Sequence, residues 1–382
     1  HSVIDTAAAL GPTSPSVILG PGTAWIGNTL RKAAGMGVIT EAGTPVTLSG
    51  GRVENSGGIG IYATGDVTSS APVRIVGSTT YPIMAGPQVL ATMYPSVAAQ
   101  DSLIGNGRDT IVVRCCALNS GTAYVSSVIP WAVRENITFG GAAALNVGPS
   151  ALVTMDSASQ MFFNGNARLI AVGNAGAKAR IEGRNAATRQ IQFLPLTGGT
   201  AGADTSRIRH AQFDRINIWE QGGTAGSSTS ADNIGSVLRI DSSTFTKSGS
   251  FVLQRMYSGI AYSTVDSASV DLGDSTSIDY TTVLNSPGYG VFASGRGIRV
   301  TGGRIENSTF AGLRVVYPTR PSVMPRITGG AGFPVQIPPH SLHHFFPTYG
   351  VEDSLTGNAK DTVLVSIEVS AESRGPVRIG NG

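Results

Sequence analysis

The chain has 382 residues, 50 of them Gly, with 13% charged, 41% hydrophobic and 7% aromatic. Gly is about twice, and charge about half, of what is usual, which excludes intrinsic disorder and a helical protein, since Gly costs about 1 kcal/mol per helix position. Gly has no three-residue period, so collagen is excluded too. What remains is an all-β chain of many short strands and tight turns.

A net charge of +3 arises from 27 basic and 24 acidic residues, and only Lys32, Lys178, Lys247 and Lys360 are lysines. The longest basic run is Arg31-Lys32, with no stripe of basic and aromatic residues, so nucleic acid is not an expected partner. No apolar run approaches the roughly 18 residues of a membrane span. At the start of the chain, His1-Ser2-Val3-Ile4-Asp5 lacks the basic region and apolar core of a signal peptide. Starting at His rather than Met, the sequence reads as processed or cut from something longer.

An internal repeat sets the organisation. Gly50-Gly51-Arg52-Val53-Glu54-Asn55-Ser56 returns as Gly302-Gly303-Arg304-Ile305-Glu306-Asn307-Ser308. Asp101-Ser102-Leu103 and Gly105-Asn106 return as Asp353-Ser354-Leu355 and Gly357-Asn358, again 252 residues on. Between 46–113 and 298–365 the register holds without a gap, with 23 of 68 positions identical. With one residue of slippage, Val17-Ile18-Leu19-Gly20 meets Val270-Asp271-Leu272-Gly273. Residues 14–113 and 267–365 thus read as two copies of one module. The expected division is 1–113 (first copy), 114–266 (middle of the unit), 267–365 (second copy) and 366–382 (a further coil or tail). Gly35-Met36-Gly37 and Gly288-Tyr289-Gly290 start like a dinucleotide motif but lack its third glycine, and read as coil corners.

Cys115 and Cys116 are adjacent. In a strand their side chains point apart, which disfavours a bond between them. Extending the repeat register places Cys115 toward the core and Cys116 toward solvent, where oxidation would link subunits.

Short strand-like runs continue through the middle: Ala144-Leu145-Asn146-Val147, Ala151-Leu152-Val153-Thr154-Met155, Arg168-Leu169-Ile170-Ala171-Val172 and Ser236-Val237-Leu238-Arg239-Ile240, then Gly297-Ile298-Arg299-Val300. Apolar residues alternate within them, and Gly, Asn, Ser or Asp punctuates each. A unit spacing near 20–25 residues suits a parallel solenoid coil better than the longer hairpin-linked strands of a sandwich. With about 22 residues per coil and roughly 4.8 Å between coils, the chain is expected to form about 15 coils over about 70–80 Å. Asn55, Asn285 and Asn307 are expected at the turns, forming hydrogen-bonded ladders.

The Glu-Asn-Ser-x-x-x-Gly-(Leu/Ile) signature at 54–61 and 306–313 resembles the coils of right-handed parallel β-helix proteins of the pectate-lyase-like superfamily. Residues 144–149, 167–173 and 180–183 resemble the repeated segment of large bacterial secreted or cell-surface β-helix repeat proteins. The Leu-x-Gly-Asn-x-x-Asp-Thr-(Val/Ile) segment resembles their inter-module junction. The resemblance implies an all-β, right-handed parallel β-helix and an extracellular or cell-surface location. It leaves activity open, because that superfamily contains lyases, hydrolases, adhesins and stalks.

Three groups are candidates for chemistry. Asp204, Arg207, Arg209, His210, Asp214 and Arg215 form the densest polar cluster; Asp266, Asp271, Asp274 and Asp279 are spaced like turn acids. His340, His343 and His344 put two imidazoles at helical spacing, but the first copy has Gln88, Ala91 and Thr92 there, and the Pro-rich surroundings suggest a loop excursion. Solvated turns are the expected role of all three, so no catalytic, cofactor-binding or metal-binding residue is assigned and no cofactor is expected. The leading functional expectation is a non-catalytic structural or adhesive rod whose partner is itself, end to end or side by side, with cell-surface polysaccharide as a second partner. The alternatives are a polysaccharide lyase or glycoside hydrolase with a groove in 114–266, and a glycan-binding adhesin.

Overall fold

The structure is a computed structural model that describes residues 2–5, 14–157, 159–185, 189–194, 205–221, 237–255, 257–317, 319, 321–345 and 355–366. It is an all-β parallel solenoid: successive strands pair with the strand one coil later, always in parallel. Two compact units are present, one of residues 1–216 with 234–236 and one of residues 217–233 with 237–382. The first module copy lies in the first unit and the second copy in the second.

In the first unit the longest sheet stacks Pro15–Leu19, Met36–Thr40, Ile61–Ala63, Ile83–Ala85, Ile111–Val113, Trp131–Val133, Leu152–Met155, Ala179–Gly183 and Ala211–Asp214. The alternation seen in the sequence becomes a set of interior columns. Trp131, Val153, Ile181 and Phe213 follow one another in register, all without solvent exposure. A second column is Phe139, Phe163 and Phe193, with ring centroids 4.9 and 5.2 Å apart in stacked geometry. Such columns form because a residue facing inward from one coil lies one interstrand spacing from its counterpart in the next.

In the second unit, the same logic aligns Phe245, Val265, Val283, Ile305 and Ile327, and, on another sheet, Phe251, Val270, Val291, Leu313 and Val335. From Phe245 to Ile327 the steps along the column take 20, 18, 22 and 22 residues, so one of the four falls short of the 20–25 expected. In the first unit some coils are longer: the step is 28 residues from Met84 to Val112 and from Val153 to Ile181, and 32 from Ile181 to Phe213. Between Ile83–Ala85 and Ile111–Val113 the chain forms a helix, Pro87–Met93, and a 3-10 turn, Ala98–Leu103. Pro87 opens the helix, where its missing N–H costs nothing, and Val89, Leu90 and Met93 bury one face against the strands Val67–Thr68 and Thr122–Val125. The helix stands where other coils have a strand. Its counterpart is the 3-10 turn Pro339–Ser341 followed by the helix Leu342–Phe345. The loop excursion expected around His340 is thus helical at its start.

The two copies agree in detail. Gly37 lies in the strand Met36–Thr40, not at a corner, and a Cβ there would sit 2.4 Å from the Gly60 carbonyl and 2.7 Å from Ser56 Oγ. Its counterpart Gly290 has the Gly312 carbonyl at 2.6 Å and Ser308 Oγ at 2.7 Å. Close backbone approach, rather than a special φ, requires glycine at both. Asn106 Nδ2 donates to the Leu103 and Ile75 carbonyls (2.7 and 3.2 Å), and its Oδ1 accepts from the Ser78 amide. Asn358 makes the same bonds to Leu355, Ile327 and Gly330 (2.7, 3.0 and 3.0 Å). Each Asn ties the end of the excursion to the preceding coil. Asn106→Ala and Asn358→Ala are each expected to lower stability by about 1–3 kcal/mol, because three backbone groups lose their partner. Urea unfolding of the two variants beside the wild type checks this.

The turn ladder is present where the spacing predicts it. Lys247, Ser267, Asn285, Asn307 and Gly329 occupy one corner of successive coils, all with positive φ. Asn307 Nδ2 donates to Asn285 Oδ1 at 3.0 Å, and Asn285 Nδ2 to Asp266 Oδ1 at 2.9 Å. Asn55 takes the corner conformation, with φ 56°, but its neighbour one coil on is Gly77, so it forms no Asn–Asn rung.

Candidate functional site

The outward face of the long sheet in the first unit is the most distinctive surface. Residues in register along it run Ile39, Tyr62, Met84, Val112, Ala132, Thr154, Glu182 and Asp214, from apolar to acidic. Val112 and Ala132 point outward yet are almost fully buried, and Tyr81, Met84, Ile59 and Tyr62 pack with Val112 in one apolar cluster.

Arginines surround the two phenols. Arg108 Nη1 and Arg134 Nη2 both donate to Tyr81 Oη, at 2.8 and 2.6 Å, with their guanidinium carbons 5.5 and 5.1 Å from its ring centroid. Arg114 Nη1 donates to Tyr62 Oη at 3.1 Å while its Nε donates to Glu135 Oε1 at 2.6 Å. The Glu135 hydrogen bond raises the Arg114 guanidinium further above its ordinary range. Toward the acidic end, Asp156 lies 3.7 Å from Arg134 and 3.4 Å from Arg184, Glu182 pairs with Arg180, and Asp214 with Arg215 at 2.7 Å. Each of these carboxylates is paired with a guanidinium group.

The second copy repeats only part of this surface. Phe333 and Lys360 stand at the positions of Tyr81 and Arg108, and Lys360 Nζ lies 4.6 Å from the Phe333 ring centroid. Arg314, at the position of Tyr62, covers Tyr289 and Phe292 at 5.0 Å each. Position 366, the counterpart of Arg114, is Ser. The module thus keeps a cation stacked on an aromatic ring in both copies, and the arginine–carboxylate row belongs to residues 114–215, outside the two copies.

The clusters singled out in the sequence do not converge. Asp204 lies outside the described residues. Arg207 and Arg209 project outward from Thr205–Arg209, His210 forms the next corner with φ 46°, and Asp214 and Arg215 pair beyond it. The four acids of 266–279 have separate partners: Asn285 and Ser267 for Asp266, Ser294 Oγ for Asp271, the Arg296 amide for Asp274 and Arg299 for Asp279. Burial pushes the Asp271 carboxyl above its ordinary value. His340 is exposed on the 3-10 turn; the side chains of His343 and His344 lie outside the described residues. Among the described residues no group of three or more His, Cys, Asp and Glu is placed to hold a metal ion.

The cysteines require a correction. Cys115 and Cys116 are bonded to each other, and both are exposed. The expectation of one buried and one free thiol assumed a strand. The chain instead turns here, with φ 34° and 73°, and that turn brings the two sulfurs together. A Cys116 bond to another subunit is incompatible with this pairing.

Sequence reading missed the Tyr62, Tyr81, Arg108, Arg114 and Arg134 group. One signal was available: the aligned pairs Tyr81/Phe333 and Arg108/Lys360 keep aromatic and basic character across the repeat. Among the described residues no helix is long and apolar enough to cross a membrane. No protein-family model matches the chain, and no curated protein matches it.

Proposed function

We propose that this chain is an extracellular structural or adhesive repeat protein of the bacterial parallel β-helix type, acting as a stalk, surface-layer or filament building block without catalysis. One observation carries the reading. The two copies reproduce scaffold contacts atom for atom (the Asn106 and Asn358 clamps, the Gly37 and Gly290 approaches), whereas their outward faces differ: Tyr62, Tyr81 and Arg108 of the first stand where the second has Arg314, Phe333 and Lys360. Repetition of a module in this way maintains a shape rather than a reaction centre. On this reading the chain's partner is itself, end to end or side by side.

A second reading is polysaccharide binding or processing on the Arg134–Asp156–Arg184 stretch of residues 114–266. The Arg–Asp contacts there favour it. A panel of acidic and neutral polysaccharides separates the two. The structural reading expects no new reducing ends and no unsaturated product; retention without turnover fits its adhesive form. Turnover that disappears in Asp156→Asn or Arg134→Gln overturns it in favour of the second.

A further inference from the structure

We propose that the Cys115–Cys116 bond is a reversible redox site, whose two-electron reduction by a dithiol releases the corner joining Ile111–Val113 to Ala117–Leu118. Among the described residues, consecutive positive φ values occur at Gly50-Gly51, at Gly302-Gly303 and at Cys115-Cys116. Two of these left-handed pairs are glycines, which adopt the conformation freely; an L residue does so against the steric resistance of its Cβ. The covalent ring through the two sulfurs holds two cysteines in a conformation that the module otherwise gives to Gly-Gly. Without the bond, nothing in their own preference keeps them there.

Both cysteines are exposed, so a small dithiol can reach them. The chemistry is thiol–disulfide exchange. A thiolate of the dithiol attacks one cysteine sulfur, the S–S bond breaks, and the other cysteine leaves as a thiolate and takes up a proton. The second thiol of the reductant then displaces the mixed disulfide. The reductant ends as a cyclic disulfide and the protein as two thiols.

The corner is connected to its surroundings on three sides. The Thr138 amide donates to the Cys116 carbonyl at 3.3 Å, and Ala117 and Leu118 pair with Thr138 and Phe139. Gly86, which precedes the helix Pro87–Met93, lies so close that a Cβ there would be 3.3 Å from Cys116 Cβ. Arg114, next in the chain, carries the bonds to Glu135 and Tyr62. Relaxation of the two φ angles therefore reaches the short strand Ala117–Leu118 and the arginine–tyrosine face together.

The test uses the full chain with dithiothreitol as the probe. Under denaturing conditions, alkylation followed by intact mass should add no groups to the oxidised chain and two to the reduced one. Amide exchange at Ala117, Leu118 and Thr138 should then rise about tenfold or more on reduction and fall again on reoxidation. A Cys115→Ser/Cys116→Ser chain should exchange fast with or without reductant. A Cys115→Gly/Cys116→Gly chain should exchange slowly in both, because glycines hold the corner unaided. Alkylation of the untreated chain, or unchanged exchange after complete reduction, overturns the proposal. If the serine variant fails to fold, the wild-type comparison with and without reductant still decides.

Discussion

Phe163→Ala should lower the unfolding free energy by about 3–5 kcal/mol, the largest loss expected from a single side chain in the first unit. Phe163 is the middle ring of the Phe139–Phe163–Phe193 column and is about 1% exposed. Truncation removes both stacking contacts and leaves a cavity between two coils. The column cannot collapse to fill it, because the flanking strands Ile137–Phe139 and Arg189–Leu194 are held in register on Gln160–Asn164 by backbone hydrogen bonds. Phe163→Leu keeps most of the volume and should cost far less, about 1 kcal/mol. Urea unfolding of both variants reads the difference. Equal, small losses would mean that the coils can shift against each other, contrary to the register described above.

The second large effect depends on pH. Glu220 is fully buried in the second unit, where Ser258 Oγ donates to its Oε1 at 2.6 Å and the Arg255 amide to its Oε2 at 3.3 Å. Burial pushes its carboxyl up to about 7, although the neighbouring Arg255 guanidinium pulls the other way. The native state then holds its proton over a range in which the unfolded chain has lost it. Stability from this group is fully present below the ordinary carboxyl value near 4.5 and declines as pH rises to about 7. The total is about 3 kcal/mol, at about 1.4 kcal/mol per pKa unit. Asp271 acts in the same direction. Asp361 acts oppositely: the Asn358 and Gly357 amides lower its value, so its contribution is present at neutral pH and lost on acidification. Glu220→Gln isolates the first term. The difference in stability between wild type and Glu220→Gln should shift against the wild type by about 3 kcal/mol between pH 4.5 and pH 8. A difference that does not change with pH would mean that burial leaves the Glu220 carboxyl titrating as it does in the unfolded chain.

Much of the fold was legible because a solenoid writes its periodicity into the sequence. The alternation in Ala151-Leu152-Val153-Thr154-Met155 places Val153 and Met155 inside, where they are found. The rung from Asn285 to Asn307 follows from a 22-residue step between equal corners. The same alternation in Ile216-Asn217-Ile218-Trp219-Glu220 puts Glu220 inward, a signal that a buried acid stood there.

The outward face was not legible for a physical reason. Arg108 reaches Tyr81 across the coil between Ile83–Ala85 and Ile111–Val113, which takes 28 residues rather than about 22 and has a helix in place of a strand. A uniform period misplaces Arg108 relative to Tyr81. The disulfide was missed for a similar reason: strand alternation does not apply at a corner with two left-handed residues. Local departures from the repeat, rather than the repeat itself, create the distinctive surface of the first unit.

The central claim is that the repeated module builds a self-associating scaffold, and negative-stain microscopy of the concentrated full chain tests it most directly. The predicted result is particles joined end to end or side by side, in runs that lengthen with protein concentration. Isolated single particles at every concentration would contradict it.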